Sequence, residues 1–195
     1  DISKRKRAEN RIEGLSRLKE ELLGADSLTK KMKRITDGVV EILGADFARI
    51  WVTQQGDLCD SGCIHAQVLE GPHVCRYRNK CLHLASSSGR YTHLDGSHQR
   101  VPFGCYKIGQ VAAAEAPGFL TNDVTRDPRV HNHDWARGLG LKSFAGYRLL
   151  SHEGDPIGVL ALFSQQTLSP DEERLLKALA NTASEVVQVS RSVEE

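Results

Sequence analysis

Thiols and imidazoles are the groups in this chain best suited to chemistry, and most of them are concentrated in one stretch. Cys59, Cys63, Cys75 and Cys81 follow the spacing C-x3-C-x11-C-x5-C, with His65 and His73 between them and His83 just beyond. Three chemistries fit such a cluster. Four soft ligands would close around a structural zinc ion and order a loop, 56–80, that has too little apolar surface to order itself. The same thiolates would hold an iron-sulfur cluster whose oxidation makes the loop a sensor. Alternatively, Cys59 with Cys63 and Cys75 with Cys81 would form reversible disulfides. The spacing lacks the paired C-x2-C knuckles of a zinc ribbon. Free cysteine also packs as a small hydrophobe, a reading that is strongest for Cys81 at the head of CLHLA.

The elements that must position these groups are legible from periodicity. Residues 3–24 form a charged helix with a narrow apolar stripe, Ala8, Ile12, Leu15, Leu18 and Leu22, which by itself calls for a partner helix. After Gly24, Asp26 or Ser27 caps a second helix whose wider stripe runs from Leu28 through Met32, Ile35, Val39 and Ile42 to Leu43. ADFARIWVTQ (45–54) alternates as a strand, and strand-like fragments follow at 64–70 and 81–86. A loop leads to an extended piece before Pro102, then to a short helix over 107–116, a short strand FLTND and a helix over 128–137 with Asp127 as cap and Pro128 in its first turn. Asn122 and Asp123 are further capping candidates. His93 and His98 flank a Gly-Asp turn and are expected at the surface.

Segments 142–150 and 156–165, joined by the turn SHEGDP, are the strongest strand pair and form an antiparallel hairpin. Phe144, Ala145, Val159, Leu160 and Leu162 are expected within it, inside or beneath a pocket. Ser169 and Glu172 make a capping box around Pro170. The last helix carries Leu175, Leu176, Leu179, Ala183, Val186, Val187 and Val193 on one side, and its length suggests that it leads into a further segment.

Length, composition and charge narrow the function classes. A chain of 195 residues can bury a full core without disulfide staples. No apolar run approaches a membrane span, and the charged opening DISKRKRAEN has no export signal; membrane insertion is not expected and a reducing cytoplasm is the default location. The chain opens on Asp rather than Met, as a fragment of a longer protein would. With 26 basic against 25 acidic residues it lacks the basic surface of a nucleic-acid binder. The basic run Lys4 to Arg7 is interleaved with glutamates further along and reads as a solvated helix face.

Four segments, RVPFGCYKIGQVAA (100–113), FLTNDVTRDPRV (119–130), LGLKSFAGYRLL (139–150) and GDPIGVLALFSQQTLSPDEERLLKALA (154–180), together with the order of elements, resemble the GAF domain of bacterial and archaeal signalling proteins such as sensor kinases. Arg148, where the family usually has Pro, and the inserted cysteine loop depart from the pattern. The resemblance covers about residues 28–188. It implies an α+β fold: a central antiparallel sheet of about six strands, helices on both faces and long terminal helices. The division it implies is a coiled-coil-like N-terminal helix over 1–26, a sensory domain over 27–188 and the start of a C-terminal linker over 189–195.

The resemblance further implies a small-molecule pocket, with Phe103, Cys105, Tyr106, His131, Trp135, Phe144 and Tyr147 as candidate lining residues. Cys105 also reads as a buried structural thiol. Zinc or an iron-sulfur cluster is expected, from the residues themselves, at Cys59, Cys63, Cys75 and Cys81. Haem is the lesser expectation, with His131 or His133 as a handle beside Trp135. The function implied is a non-catalytic sensory module of a multidomain transducer, working as a homodimer through its terminal helices and passing its signal to a covalently linked output domain such as a histidine kinase. Two other classes stand beside it. One is a cysteine-dependent free methionine-R-sulfoxide reductase, although FLTNDV has no cysteine where that family's nucleophile is expected. The other is a dimerisation module that binds nothing.

Overall fold

A computed structural model describes residues 1–114 and 116–194, with side chains up to residue 191. A six-stranded antiparallel sheet in the order β3-β2-β1-β6-β5-β4 forms its centre. The strands are β1 (Phe47–Gln54), β2 (Cys81–Gly89), β3 (Arg100–Pro102), β4 (Gly118–Thr121), β5 (Ser143–Leu150) and β6 (Pro156–Ser164). The helices are α1 (Ile2–Leu22), α2 (Leu28–Leu43), α3 (Tyr106–Ala113), α4 (His133–Gly138) and α5 (Pro170–Glu194). Among the described residues no helix is long and apolar enough to cross a membrane.

Local chemistry sets the ends of the main helices. Ser27 Oγ accepts from the Lys30 amide at 3.3 Å to start α2, and Gly44, in the left-handed region at φ 67°, ends it. The capping box at α5 forms in both directions: Ser169 Oγ accepts from the Glu172 amide at 3.2 Å, and Glu172 Oε1 accepts from the Ser169 amide at 3.1 Å.

Alternation along the strands divides the core into two layers. One face packs Ala48, Ile50, Val52, Ala145, Tyr147, Leu149, Leu160 and Leu162 against Ile35 and Val39 of α2 and Leu176, Leu179, Ala183 and Val187 of α5. The other packs Phe47, Trp51, Phe144, Val159 and Ala161 beneath α3 and α4. The hairpin residues expected together therefore split, with Phe144 and Val159 on the α3/α4 side and Ala145, Leu160 and Leu162 on the α2/α5 side. α1 is not left without a partner, because Leu18 and Leu22 bury in the core against α2, where a Cβ on Gly38 would meet Leu18 at 2.8 Å. Ile12 stays exposed. Val193 lies outside the described side chains.

Three sequence expectations are corrected. Residues 64–70 do not form a strand: Ile64–Gln67 is a single 3-10 turn, with the Cys63 carbonyl accepting from the Ala66 amide at 3.2 Å. The helix expected over 107–116 runs as Tyr106–Ala113, with Ala114 extended; Glu115 lies outside the described residues. The helix expected over 128–137 begins only at His133. Asp127 is engaged in a tighter turn, where its Oδ1 accepts from the Arg129 amide at 2.9 Å. Asn132 caps the helix instead, at φ 56°, a backbone state that Asn tolerates better than most side chains.

Candidate functional site

Between the sheet and the α3/α4 layer lies a cavity of about 470 Å3. Its floor is made by the inward positions of three strands, Phe47, Arg49 and Trp51 of β1, Phe144 of β5 and Phe163 of β6. Its walls are Tyr106 to Ile108 on α3, Val130 to Asn132 before α4, Trp135 and Ala136 on α4, and the β2–β3 loop from Tyr91 to His98. The aromatic side chains are mutually supported. Phe47 stacks on Phe163 at 4.3 Å between ring centroids, and Trp135 stands edge-on to Phe163 at 5.7 Å. The Trp51 indole is fixed by donating to the His98 carbonyl at 2.9 Å. An irregular register opposite Ile50 and Trp51, where β2 carries one extra residue, bends the sheet beside this floor.

Arg49 is the unusual member. It occupies an inward position on a central strand and is 9% exposed. Its Nε donates to Ser87 Oγ at 3.0 Å, and its guanidinium carbon lies 5.7 Å from the Tyr91 ring centroid. Among the described residues no carboxylate pairs with it. Burial pushes its pKa down from the usual arginine value, but the range is so high that the group stays charged. Lys107 adds a second cation, and His73, His93, His98 and His131 line the same space against one carboxylate, Asp95. The cavity is therefore aromatic, rich in nitrogen and biased towards positive charge.

The cysteine segment forms a lobe against this cavity. Its neck is closed by the Gly56 amide donating to the Arg78 carbonyl at 2.8 Å. Glycine is required there, because a Cβ would come within 2.8 Å of Cys59 Sγ and 2.9 Å of the Arg78 oxygen. Arg100 of β3 ties the lobe to the sheet through two hydrogen bonds to Asp57, at 2.7 and 2.8 Å. At its far side His73 stacks on Tyr106, and Cys105 Sγ donates to the Val74 carbonyl at 3.4 Å. The lobe thus reaches the wall of the large cavity.

Cys59, Cys63, Cys75 and Cys81 all line one small cleft of about 10 Å3, together with His65. That is room for about one water-sized occupant. All five cysteines are free thiols. Among the described residues no three His, Cys, Asp or Glu side chains already stand as a ready ligand set around one point. Burial, followed by the neighbouring thiols, pushes Cys81 up to about 12, and burial likewise raises Cys75 and Cys105.

Of the pocket residues expected from sequence, the structure brings Tyr106, His131, Trp135 and Phe144 to the large cavity. The other three lie elsewhere. Tyr147 sits on the α2/α5 face, where its hydroxyl donates to Glu173 at 3.0 Å, because its position on β5 has the opposite parity to Phe144. Phe103 and Cys105 are buried around the base of α3, away from the cavity lining. His93 and His98, expected at the surface, are exposed there and also line the cavity. Arg49 was missed. Its signal was a charge at an inward position between Phe47 and Trp51.

A model of the GAF domain family matches residues 27–187. Solved structures share the fold at low identity. The GAF domain of a phosphoenolpyruvate-protein phosphotransferase from Coxiella burnetii is 19% identical, covers 96% of this chain and 98% of its own, and has a TM-score of 0.67. Free methionine-R-sulfoxide reductase from Neisseria meningitidis, solved with its substrate, is also 19% identical, with coverage of 95% and 93% and a TM-score of 0.67. The A. aeolicus nlh2 GAF domain in an inactive state is 16% identical, with coverage of 95% and 97% and a TM-score of 0.62. No curated protein matches.

Proposed function

The chain belongs to the GAF domain family, whose members are ligand-binding regulatory modules, and on that premise we propose that it is the sensory module of a larger signal transducer, taking a small, flat, anionic ligand in the large cavity. The observation that carries this reading is Arg49. A buried guanidinium with no carboxylate partner among the described residues, set in a floor of stacked aromatic rings, is electrostatically complete only when an anion enters. The aromatic walls suit a planar body, and the cations a carboxylate or phosphate upon it.

The same strand offers a route for the signal. Arg49 and Trp51 face the cavity, whereas Ile50 and Val52, their neighbours in β1, pack against the α2/α5 layer. A ligand that draws β1 inward shifts the surface on which the terminal helices rest, and so biases their arrangement. In this proposal those helices pair with a second copy of the chain, through side chains such as Ile12 and Val189 that the protomer leaves exposed, and lead to a linked output domain such as a kinase.

Trp51 and Trp135 report on the site by fluorescence. Titration with aromatic carboxylates and nucleoside monophosphates, each beside a neutral amide or nucleoside counterpart, should show binding of anions only, lost in Arg49→Gln. Equal binding of charged and neutral members would remove the anion reading. The Neisseria relative raises an enzymatic alternative, but the raised thiol pKa values give a cysteine nucleophile little support.

A further inference from the structure

We propose that the cysteine lobe is a binding site for a single thiophilic divalent ion of the zinc class, with donors drawn from Cys59, Cys63, Cys75, Cys81 and His65. Two independent observations lead there. The first is convergence: thiols separated by as many as 22 positions line one cleft, and its volume of about 10 Å3 suits one ion rather than a multi-atom cluster. The second is the His65 ring. It is 3% exposed, and its Nε2 lies 3.1 Å from the Ser97 carbonyl. A carbonyl only accepts, so Nε2 carries a proton, and in the tautomer this contact selects Nδ1 holds the lone pair. That Nδ1 is buried and, among the described residues, has no hydrogen-bond partner. A neutral imidazole whose other nitrogen is oriented by a backbone carbonyl is the form in which histidine binds metal. Leaving that lone pair without a partner costs stability that an ion would recover.

Five donors exceed the four that a closed zinc site uses, so one of the five is spare. Among the described residues no three of these side chains already form a ready ligand set, in which each sulfur would stand about 2.3 Å from the ion. Closure requires the lobe thiols to move inward. Cys59, Cys63 and Cys75 lie on turns and loop backbone outside the sheet, where such movement is least opposed. The consequence for the fold is local: the ion would hold 56–80, a segment with little apolar surface of its own, while the sheet stands without it. The inference is independent of what occupies the large cavity.

The test uses the whole chain purified without oxygen in a thiol-free reductant. Metal analysis after desalting should find one zinc per chain, and cobalt(II) added to stripped protein should produce the intense thiolate-to-cobalt absorption of a tetrahedral, sulfur-rich site. In chelator competition, Cys59→Ser, Cys63→Ser, Cys75→Ser, Cys81→Ser and His65→Asn are compared singly. At least four of the five should weaken retention on the order of tenfold or more, while Cys105→Ser stays at the parental value. Circular dichroism of each variant separates loss of metal from loss of fold. Reduced, folded protein that retains no metal and gives no cobalt absorption would overturn the proposal. So would a brown protein containing iron and acid-labile sulfide, which would be a cluster.

Discussion

The His73 ring lies flat on the Tyr106 ring, with centroids 4.2 Å apart and planes 8° from parallel. His73 Nδ1 also accepts from the Tyr106 amide at 3.3 Å. This pair joins the cysteine lobe to the first residue of α3, and so joins the two candidate sites. A ring pair of this kind contributes about 0.5–1.5 kcal/mol beyond its burial. His73→Ala should therefore raise hydrogen exchange across 69–80 while leaving the β1 and β6 amides protected. Unchanged exchange in the lobe would show that the stack does not hold it.

Leu160 is fully buried between β6 and the α2/α5 layer. Leu160→Ala removes its packing on that side and should lower unfolding free energy by about 2–5 kcal/mol in urea titration. Since its side chain points away from the large cavity, ligand affinity at saturating folded protein should change little. A neutral effect on stability would contradict the strand register described above.

Replacing Arg49 tests charge burial directly. Arg49→Met keeps much of the side-chain volume and removes a cation that has no carboxylate partner among the described residues. The thermal midpoint should stay level or rise in the absence of ligand, because the desolvation cost disappears. A large fall would mean that its bond to Ser87 and its contact with Tyr91 are structural requirements, and the case for an anion site would weaken.

Asp127 gives the cavity wall a pH dependence. The Arg129 guanidinium, bonded at 2.9 and 2.7 Å, holds the Asp127 carboxyl well below the usual carboxylate range, and the Arg129 amide adds to this. A depressed folded-state pKa means that the stabilisation is fully present above the unfolded-state value of about 3.9 and is lost as pH falls below it. Protection in 123–133, measured relative to the intrinsic exchange rate at each pH, should therefore fall below about pH 4. Asp127→Asn should remove most of that dependence while retaining a cap for the Arg129 amide.

The terminal helices give a contrast within one stripe. Leu22 is 6% exposed and packs in the protomer core, so Leu22→Glu should destabilise the fold rather than separate subunits. Ile12 is 65% exposed, and Ile12→Glu should leave stability unchanged while lowering any self-association seen by sedimentation. Dissociation by Leu22→Glu with an intact unfolding midpoint would reverse that assignment.

What the sequence determined alone was what local interactions decide. The caps at Ser27 and Ser169, the stop at Gly44 and the hairpin of β5 and β6 depend on groups a few residues apart, and each formed where its signal stood. The family was legible for the same reason, since its motifs lie on those elements. Tertiary structure decided which side chains meet. Tyr147 and Phe144 share a strand, yet parity against β6 sends them to opposite faces. Asp127 could not cap a helix at 128 once Arg129 had drawn its carboxylate into a two-residue turn. The gathering of Cys59, Cys63, Cys75 and Cys81 around His65, and the place of Arg49 on a cavity floor, depend on contacts between segments distant in the chain. Spacing along a chain carries no distance across it, and only the packed sheet brought those groups together.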